Sequence, residues 1–243
     1  MKDNFSTQAK AYSQYRPYYP PEMISYIVNF VIDKAVALDV ATGNGQVAAA
    51  LTPYFKEVYG TDISAKQLQN ATPAPNLIYK EGSAEDTGFK NEQFSLITVA
   101  QAIHWFEFDT FYAEVKRILK PDGIFAVMGY GLFSTNPETD IIINHFYKDI
   151  IGSYWDTERR YIDENYTTIP FPFKEINTKK FTNHFTWTFE QLTGYLETWS
   201  AVQHYIKQNG TNPIDLIRDD LQASWGNSDK QVTFPLLLRI GKL

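Results

Sequence analysis

The chain has 243 residues, 44% hydrophobic and 21% charged, enough for one large α/β domain, and this balance excludes a disordered or fibrous class. Its formal net charge is -6 and its lysines and arginines are scattered, so no basic stripe marks a nucleic-acid surface. Cysteine is absent and the four histidines are dispersed, which excludes disulfides and close metal-ligand spacing; the polar start Met1 to Lys10 and the lack of a long apolar run predict a cytoplasmic chain without a membrane span.

The opening segment, residues 1–30, carries Tyr12, Tyr15, Arg16 and Tyr19. These residues either pack an N-terminal helix on the core or form a lid. Next come five short apolar runs without internal proline: Ala35 to Val40, Val58 to Thr61, Leu77 to Tyr79, Phe94 to Val99 and Ile124 to Met128. Alternating with helical stretches, they predict five parallel strands of a βαβ architecture. The helices are expected over Gln46 to Leu51, from a Ser64 cap to Ala71, and from an Asp109 cap to near Leu119.

After Tyr130 the texture changes. A helical stretch from Glu138 to Tyr154 and an aromatic segment, Tyr161 to Phe173, predict an insertion of about residues 130–178 over the sheet edge. Thr188 and Gln191 have capping-box spacing ahead of Leu192, Tyr195, Leu196 and Trp199 at helical intervals. Phe181 to Trp187 and Gln231 to Arg239 then predict a closing antiparallel pair. No repeat or charged linker divides the chain, so residues 1–243 are read as a single domain.

The chemistry concentrates where the first strand meets a glycine turn, Leu38-Asp39-Val40-Ala41-Thr42-Gly43-Asn44-Gly45. Gly43, Gly45 and Ala48 satisfy G-x-G-x-x-G/A, and Asp62 ends the second strand where a carboxylate can accept hydrogen bonds from ribose hydroxyls. Those features alone also fit an NAD(P)-dependent oxidoreductase. Asp39 favours S-adenosylmethionine (SAM), whose ammonium group a carboxylate can face; a pyrophosphate offers no such partner. His104 follows the fourth strand, at the carboxyl edge where open parallel sheets bind ligands. Trp105 beside it reads as a pocket wall, while Trp187, Trp199 and Trp225 read as core.

The glycine turn resembles motif I of class I SAM-dependent methyltransferases, with Ala41 in place of its first glycine. Gly82-Ser83-Ala84-Glu85-Asp86 resembles the family's adenine-contacting loop, and Ile118 to Gly123 resembles its turn before the fifth strand. Tyr12 to Pro20, Ala100 to Phe106 and Thr198 to Ala201 resemble small-molecule enzymes related to trans-aconitate methyltransferase. The resemblance implies a Rossmann-like seven-stranded sheet, mostly parallel with a C-terminal antiparallel pair, and SAM as cofactor. It also implies cofactor contacts from Asp39, Ala41, Gly43, Gly45, Asp62, Ile63, Ala84, Glu85 and Gln101, with Tyr12, Tyr15, Arg16, Tyr19 and Trp105 lining a lid or substrate site. His104 is the expected catalytic residue, as a base or a positioner.

The segment Ala100 to His104 lacks the Asn/Asp-Pro-Pro-Tyr/Phe pattern of nitrogen methylation, so oxygen is the expected acceptor atom on a small molecule. Arg16 and the pair Arg159-Arg160 could bind an anion, which favours a carboxylate over a hydroxyl. A non-catalytic SAM-binding protein is the alternative, and oligomeric state is not legible.

Overall fold

The computed structural model describes residues 15–243, so Tyr12 lies outside the described residues. Strands β1 (Val36–Val40), β2 (Glu57–Asp62), β3 (Leu77–Glu81), β4 (Phe94–Ala100) and β5 (Leu119–Tyr130) run parallel. They alternate with helices α1 (Pro21–Val28), α2 (Gln46–Leu51), α3 (Ala65–Gln69) and α4 (Phe108–Ile118), with α1 preceding β1. Beyond β5 come α5 (Pro137–His145), α6 (Arg160–Asp163), β6 (Lys174–Ile176), β7 (Phe181–Trp187), α7 (Phe189–Glu197), α8 (Ser200–Asn209), α9 (Arg218–Trp225) and β8 (Lys230–Lys242).

The sheet order is β3-β2-β1-β4-β5-β8-β6, with β7 also paired to β8. β6 faces Lys242 to Ile240 and β7 faces Leu236 to Lys230, so the two share one edge of β8 end to end. Eight strands therefore fill seven positions, and β8 runs antiparallel to β5. β6 was not predicted: its Lys-Glu-Ile sequence has no apolar alternation, and it is a strand only because β8 extends to Lys242 and offers it an edge.

Parallel strands need cover on both faces, and their sequences supply it. Successive side chains of a strand point to opposite faces. Ala37, Leu96, Ile124 and Ala126 accordingly join α1 and α2 in one core. Leu38, Ile97, Phe125 and Val127 join α4 in the other. α1 buries Met23, Ile24, Ile27 and Val28, making it a core element. Trp187, Trp199 and Trp225 are all buried, as expected.

Several boundaries differ from expectation: α3 stops at Gln69, and β3 and β8 run on to Glu81 and Lys242. Glu107 stands at the N-cap position of α4 without a side-chain capping bond, and Asp109 lies within its first turn. β5 begins at Leu119 instead of Ile124: Leu119 pairs with Phe94 before a register shift, so Lys120 to Gly123 form an irregularity within the strand. The stretch predicted as one helix to Tyr154 breaks into α5, a π-helical turn at Phe146–Ile150 and a 3-10 turn at Gly152–Tyr154. The widened turn keeps Phe146, Tyr147 and Ile151 all buried. The capping box of α7 is present in both directions: Gln191 N donates to Thr188 Oγ1 at 3.1 Å and Thr188 N to Gln191 Oε1 at 2.9 Å.

Candidate active site

β1 ends on a buried carboxylate. Asp39 Oδ2 accepts from the Thr42 hydroxyl at 2.6 Å and Oδ1 from the Thr98 hydroxyl at 2.7 Å. No cation pairs with Asp39 among the described residues, and burial pushes its pKa up to about 6. The chain then leaves the strand through left-handed backbone at Ala41 (φ 53°), Gly43 (φ 56°) and Gly45 (φ 79°). Ala41 carries a Cβ where the family pattern has glycine, at a conformation that disfavours one.

Asp62, at the end of β2, braces this turn: its Oδ2 accepts from Gly43 N and its Oδ1 from Ser64 N, both at 2.9 Å. Gly45 serves packing. A Cβ there would stand 1.9 Å from Tyr79 Oη, which donates to Thr72 O at 2.7 Å.

The turn forms one wall of a cleft that brings together Asp39, Ala41, Gly43, Arg16, Tyr19 and Gln101. Gly45, Asp62, Ile63, Ala84 and Glu85 lie outside its lining. Asp62 and Ile63 sit at the end of β2, while Ala84 is buried and Glu85 accepts from Ser83 Oγ and, at 3.4 Å, from Glu107 N. Gln101 has left-handed backbone (φ 53°), and its amide is held by Tyr130, donating to its O at 3.2 Å and accepting from its N at 2.8 Å. It can contribute a wall to a cofactor, but its polar atoms are already committed.

A second, narrow pocket shares Arg16 and Gln101 with the first and holds His104, Trp105 and Arg159. The two cavities therefore share the Arg16–Gln101 wall. Arg16 donates to Tyr130 Oη at 3.0 Å and to Thr198 O at 2.9 Å, which ties the N-terminal stretch over this junction. Of the tyrosines, Tyr19 lines the cleft, whereas Tyr15 lies against Gly194 of α7.

Arg159 donates through Nε to Tyr147 Oη at 2.7 Å and lies over the Tyr147 and Trp155 rings. Arg160, its expected companion, is exposed and lies over Tyr161, so the pair is split and only Arg159 reaches the pocket.

His104 sits in a 3-10 turn, Ile103–Trp105, directly after β4. Burial first, then the charge of Arg159, lowers its pKa to about 3, so it is neutral at pH 7. Its Nδ1 lies 3.3 Å from Tyr166 Oη. Tyr166 is fully buried with φ 60°, an outlier for so bulky a residue. The surroundings hold it there: Tyr166 N donates to Tyr161 O at 2.7 Å, and Arg239 Nη1 donates to Tyr166 O at 3.0 Å and Ile169 O at 2.7 Å. Sequence reading missed Tyr166, because it sits in an irregular segment with no motif around it.

The donor set fits SAM. A buried carboxylate without a cationic partner suits the ammonium of its amino-acid end, and the turn's missing side chain at Gly43 leaves open space beside Asp62. Among the described residues no group of three or more acidic, histidine or cysteine side chains is placed to hold a metal, and no helix is long and apolar enough to cross a membrane.

Comparison with known proteins agrees with this geometry. The methyltransferase-domain family matches residues 38–127, which span β1 to β5. A candidate methyltransferase of Dictyostelium discoideum is 31% identical over 249 residues, covering 99% of this chain and 95% of that protein. A Saccharomyces cerevisiae protein described as an S-adenosylmethionine-dependent methyltransferase is 26% identical, over 86% of this chain and 84% of its own. The structure of a candidate type II methyltransferase from Anaeromyxobacter dehalogenans superposes with a TM-score of 0.86 at 33% identity, covering 93% of this chain and 97% of that one. The dinucleotide-oxidoreductase reading falls away: this chain belongs to the class I SAM-dependent methyltransferases, and SAM is its cofactor.

Proposed function

We propose that the protein methylates a carboxylate oxygen of a small organic acid. The observation that carries this reading is the pairing of Arg16 and Arg159 with a neutral, buried His104 around a pocket that abuts the cofactor cleft. When bound, SAM supplies an electrophilic methyl group on a sulfonium whose departure leaves a neutral thioether. The chain's own residues then need to bind the acid, align one oxygen and exclude water. A carboxylate is already ionised at pH 7 and requires no base. A side chain whose pKa is lowered to about 3 is a poor base for a hydroxyl, so His104 suits the role of neutral hydrogen-bond donor. Arg16 and Tyr19, on the stretch leading into α1, work as the edge of a lid over the cleft.

The test is incubation with methyl-labelled SAM and a metabolite extract, followed by mild alkali. A methyl ester releases its label as volatile methanol. Label that stays fixed after alkali rejects the carboxylate, since ethers and methylamines survive that treatment.

A further inference from the structure

Tyr79 lies on β3, the strand at one end of the sheet, and lines neither of the two cavities. Its ring nonetheless packs against the cofactor turn. The sheet register pairs Asp39 with Gly60 and Gly60 with Tyr79, so one glycine separates the tyrosine from the strand end that carries the buried carboxylate. A Cβ at Gly60 would stand 2.8 Å from two carbons of the Tyr79 ring, and one at Gly45 would stand 2.7 Å from its Cζ. Two glycines from different elements are thus cleared for a single aromatic ring.

The hydroxyl adds a connection that packing does not require. Tyr79 Oη donates to Thr72 O at 2.7 Å, and Thr72 N donates in turn to Asn44 O at 3.0 Å. Asn44 stands between Gly43 and Gly45 and lines the cofactor cleft. Asp62 holds Gly43 N and Thr72 holds Asn44 O, so two consecutive residues of the turn are fixed from two different elements. Burial first, then the charge of Asp39, pushes the Tyr79 pKa up to about 12, and the phenol stays a donor at pH 7. Thr72 itself is exposed, in an irregular stretch between α3 and β3, where a backbone hydrogen bond opens readily unless its neighbours hold it.

We infer that Tyr79 is a positioning residue for the cofactor, acting through Thr72 to fix the Asn44 peptide between the left-handed Gly43 and Gly45. It touches the cleft only through these intermediaries. The coupling runs both ways: a turn that the Tyr79–Thr72 link organises before binding is a turn whose link the bound ligand tightens.

The experiment uses the full chain and S-adenosylhomocysteine, with Kd from calorimetry and amide exchange at Thr72 followed with and without the ligand. Tyr79→Phe keeps the ring and should raise the Kd at least about fivefold, roughly one hydrogen bond's worth, while speeding exchange at Thr72. Tyr79→Leu loses ring and hydroxyl and should raise the Kd further. In the wild type the ligand should slow Thr72 exchange by about tenfold or more, and in Tyr79→Phe that slowing should shrink. Ile240→Val, in the core of β8 and away from the turn, is the control for general destabilisation. It should lower the unfolding midpoint and leave the Kd unchanged, because a Kd measured well below the melting range reports on the native state alone.

A Kd for Tyr79→Phe within about twofold of wild type overturns the hydrogen-bonded route, even if Tyr79→Leu binds weakly. Thr72 exchange that the ligand leaves unchanged in the wild type overturns it as well. Equal weakening of binding in Ile240→Val reduces the effect to stability and leaves Tyr79 as packing.

Discussion

At Asp39 a single side chain couples stability to cofactor binding. Its folded pKa is raised from 3.8 to about 6, so the folded chain holds this proton more tightly than the unfolded one. The sign follows: ligand-free stability falls as pH rises from about 4 to 6 and is then level, at a total cost of about 3 kcal/mol. An ammonium ligand reverses the penalty by favouring the ionised form. The Kd for S-adenosylhomocysteine should accordingly be flat above pH 6 and rise about tenfold per unit below it. Asp39→Asn should flatten that profile, weaken binding at least about tenfold and stabilise the ligand-free protein at pH 8 by about 1–3 kcal/mol. Calorimetry and thermal melts across pH check all three, and an unchanged pH profile in Asp39→Asn would remove Asp39 from the ligand's charge balance.

His104 and Tyr166 make a second pair at the same scale. If Tyr166 Oη donates to Nδ1, 3.3 Å away, the proton of the neutral imidazole stays on Nε2. Tyr166→Phe removes only that oxygen. Turnover should fall about tenfold, the loss of roughly one hydrogen bond, while the Kd for S-adenosylhomocysteine holds. Nitrogen-15 shifts of His104 should move from the Nε2–H tautomer toward a mixture. Shifts identical to wild type would reduce Tyr166 to packing.

At the scale of elements, β5 and the segment around Tyr166 fit together through a missing side chain. A Cβ at Gly129 would lie 2.6 Å from the Tyr166 ring and 3.0 Å from Gln101 Oε1. Gly129→Ala should therefore destabilise by about 1–3 kcal/mol, the usual cost of overpacking, and displace the Gln101 wall between the two cavities. Denaturant unfolding gives the first number. A KM increase for the acceptor larger than that for SAM gives the second, and equal changes in both would mean that the wall has not moved. The strained backbone at Tyr166 has its counterweight in Arg239, which β8 delivers to Tyr166 O, Ile169 O and the Glu175 carboxylate together.

For the whole molecule, binding to the native state alone must raise its stability by mass action. S-adenosylhomocysteine at a hundredfold excess over Kd should add about 2.7 kcal/mol, read as a rise in Tm, and NAD should add none. Stabilisation by NAD and not by S-adenosylhomocysteine would contradict the cofactor.

The sequence by itself determined the parts that depend on local pattern. Near-continuous apolar runs such as Phe94 to Val99 can only be strands covered on both faces, and β1, β2 and β4 fall within a residue of the runs that predicted them. The glycine turn, Asp39 at its start and His104 after β4 were legible for the same reason: the strand end fixes where they stand. The capping box at Thr188 needed only four consecutive residues. Tertiary structure alone decided the rest. β6 exists because β8 gives it an edge, and Arg159 faces the pocket while Arg160 faces solvent because a short 3-10 turn precedes α6. Tyr166 reaches His104 through a left-handed backbone that no propensity favours and that Arg239, far along the chain, holds in place. A strand end is written in its own residues, whereas a pocket assembled from distant segments is set by long-range packing that overrides local preference.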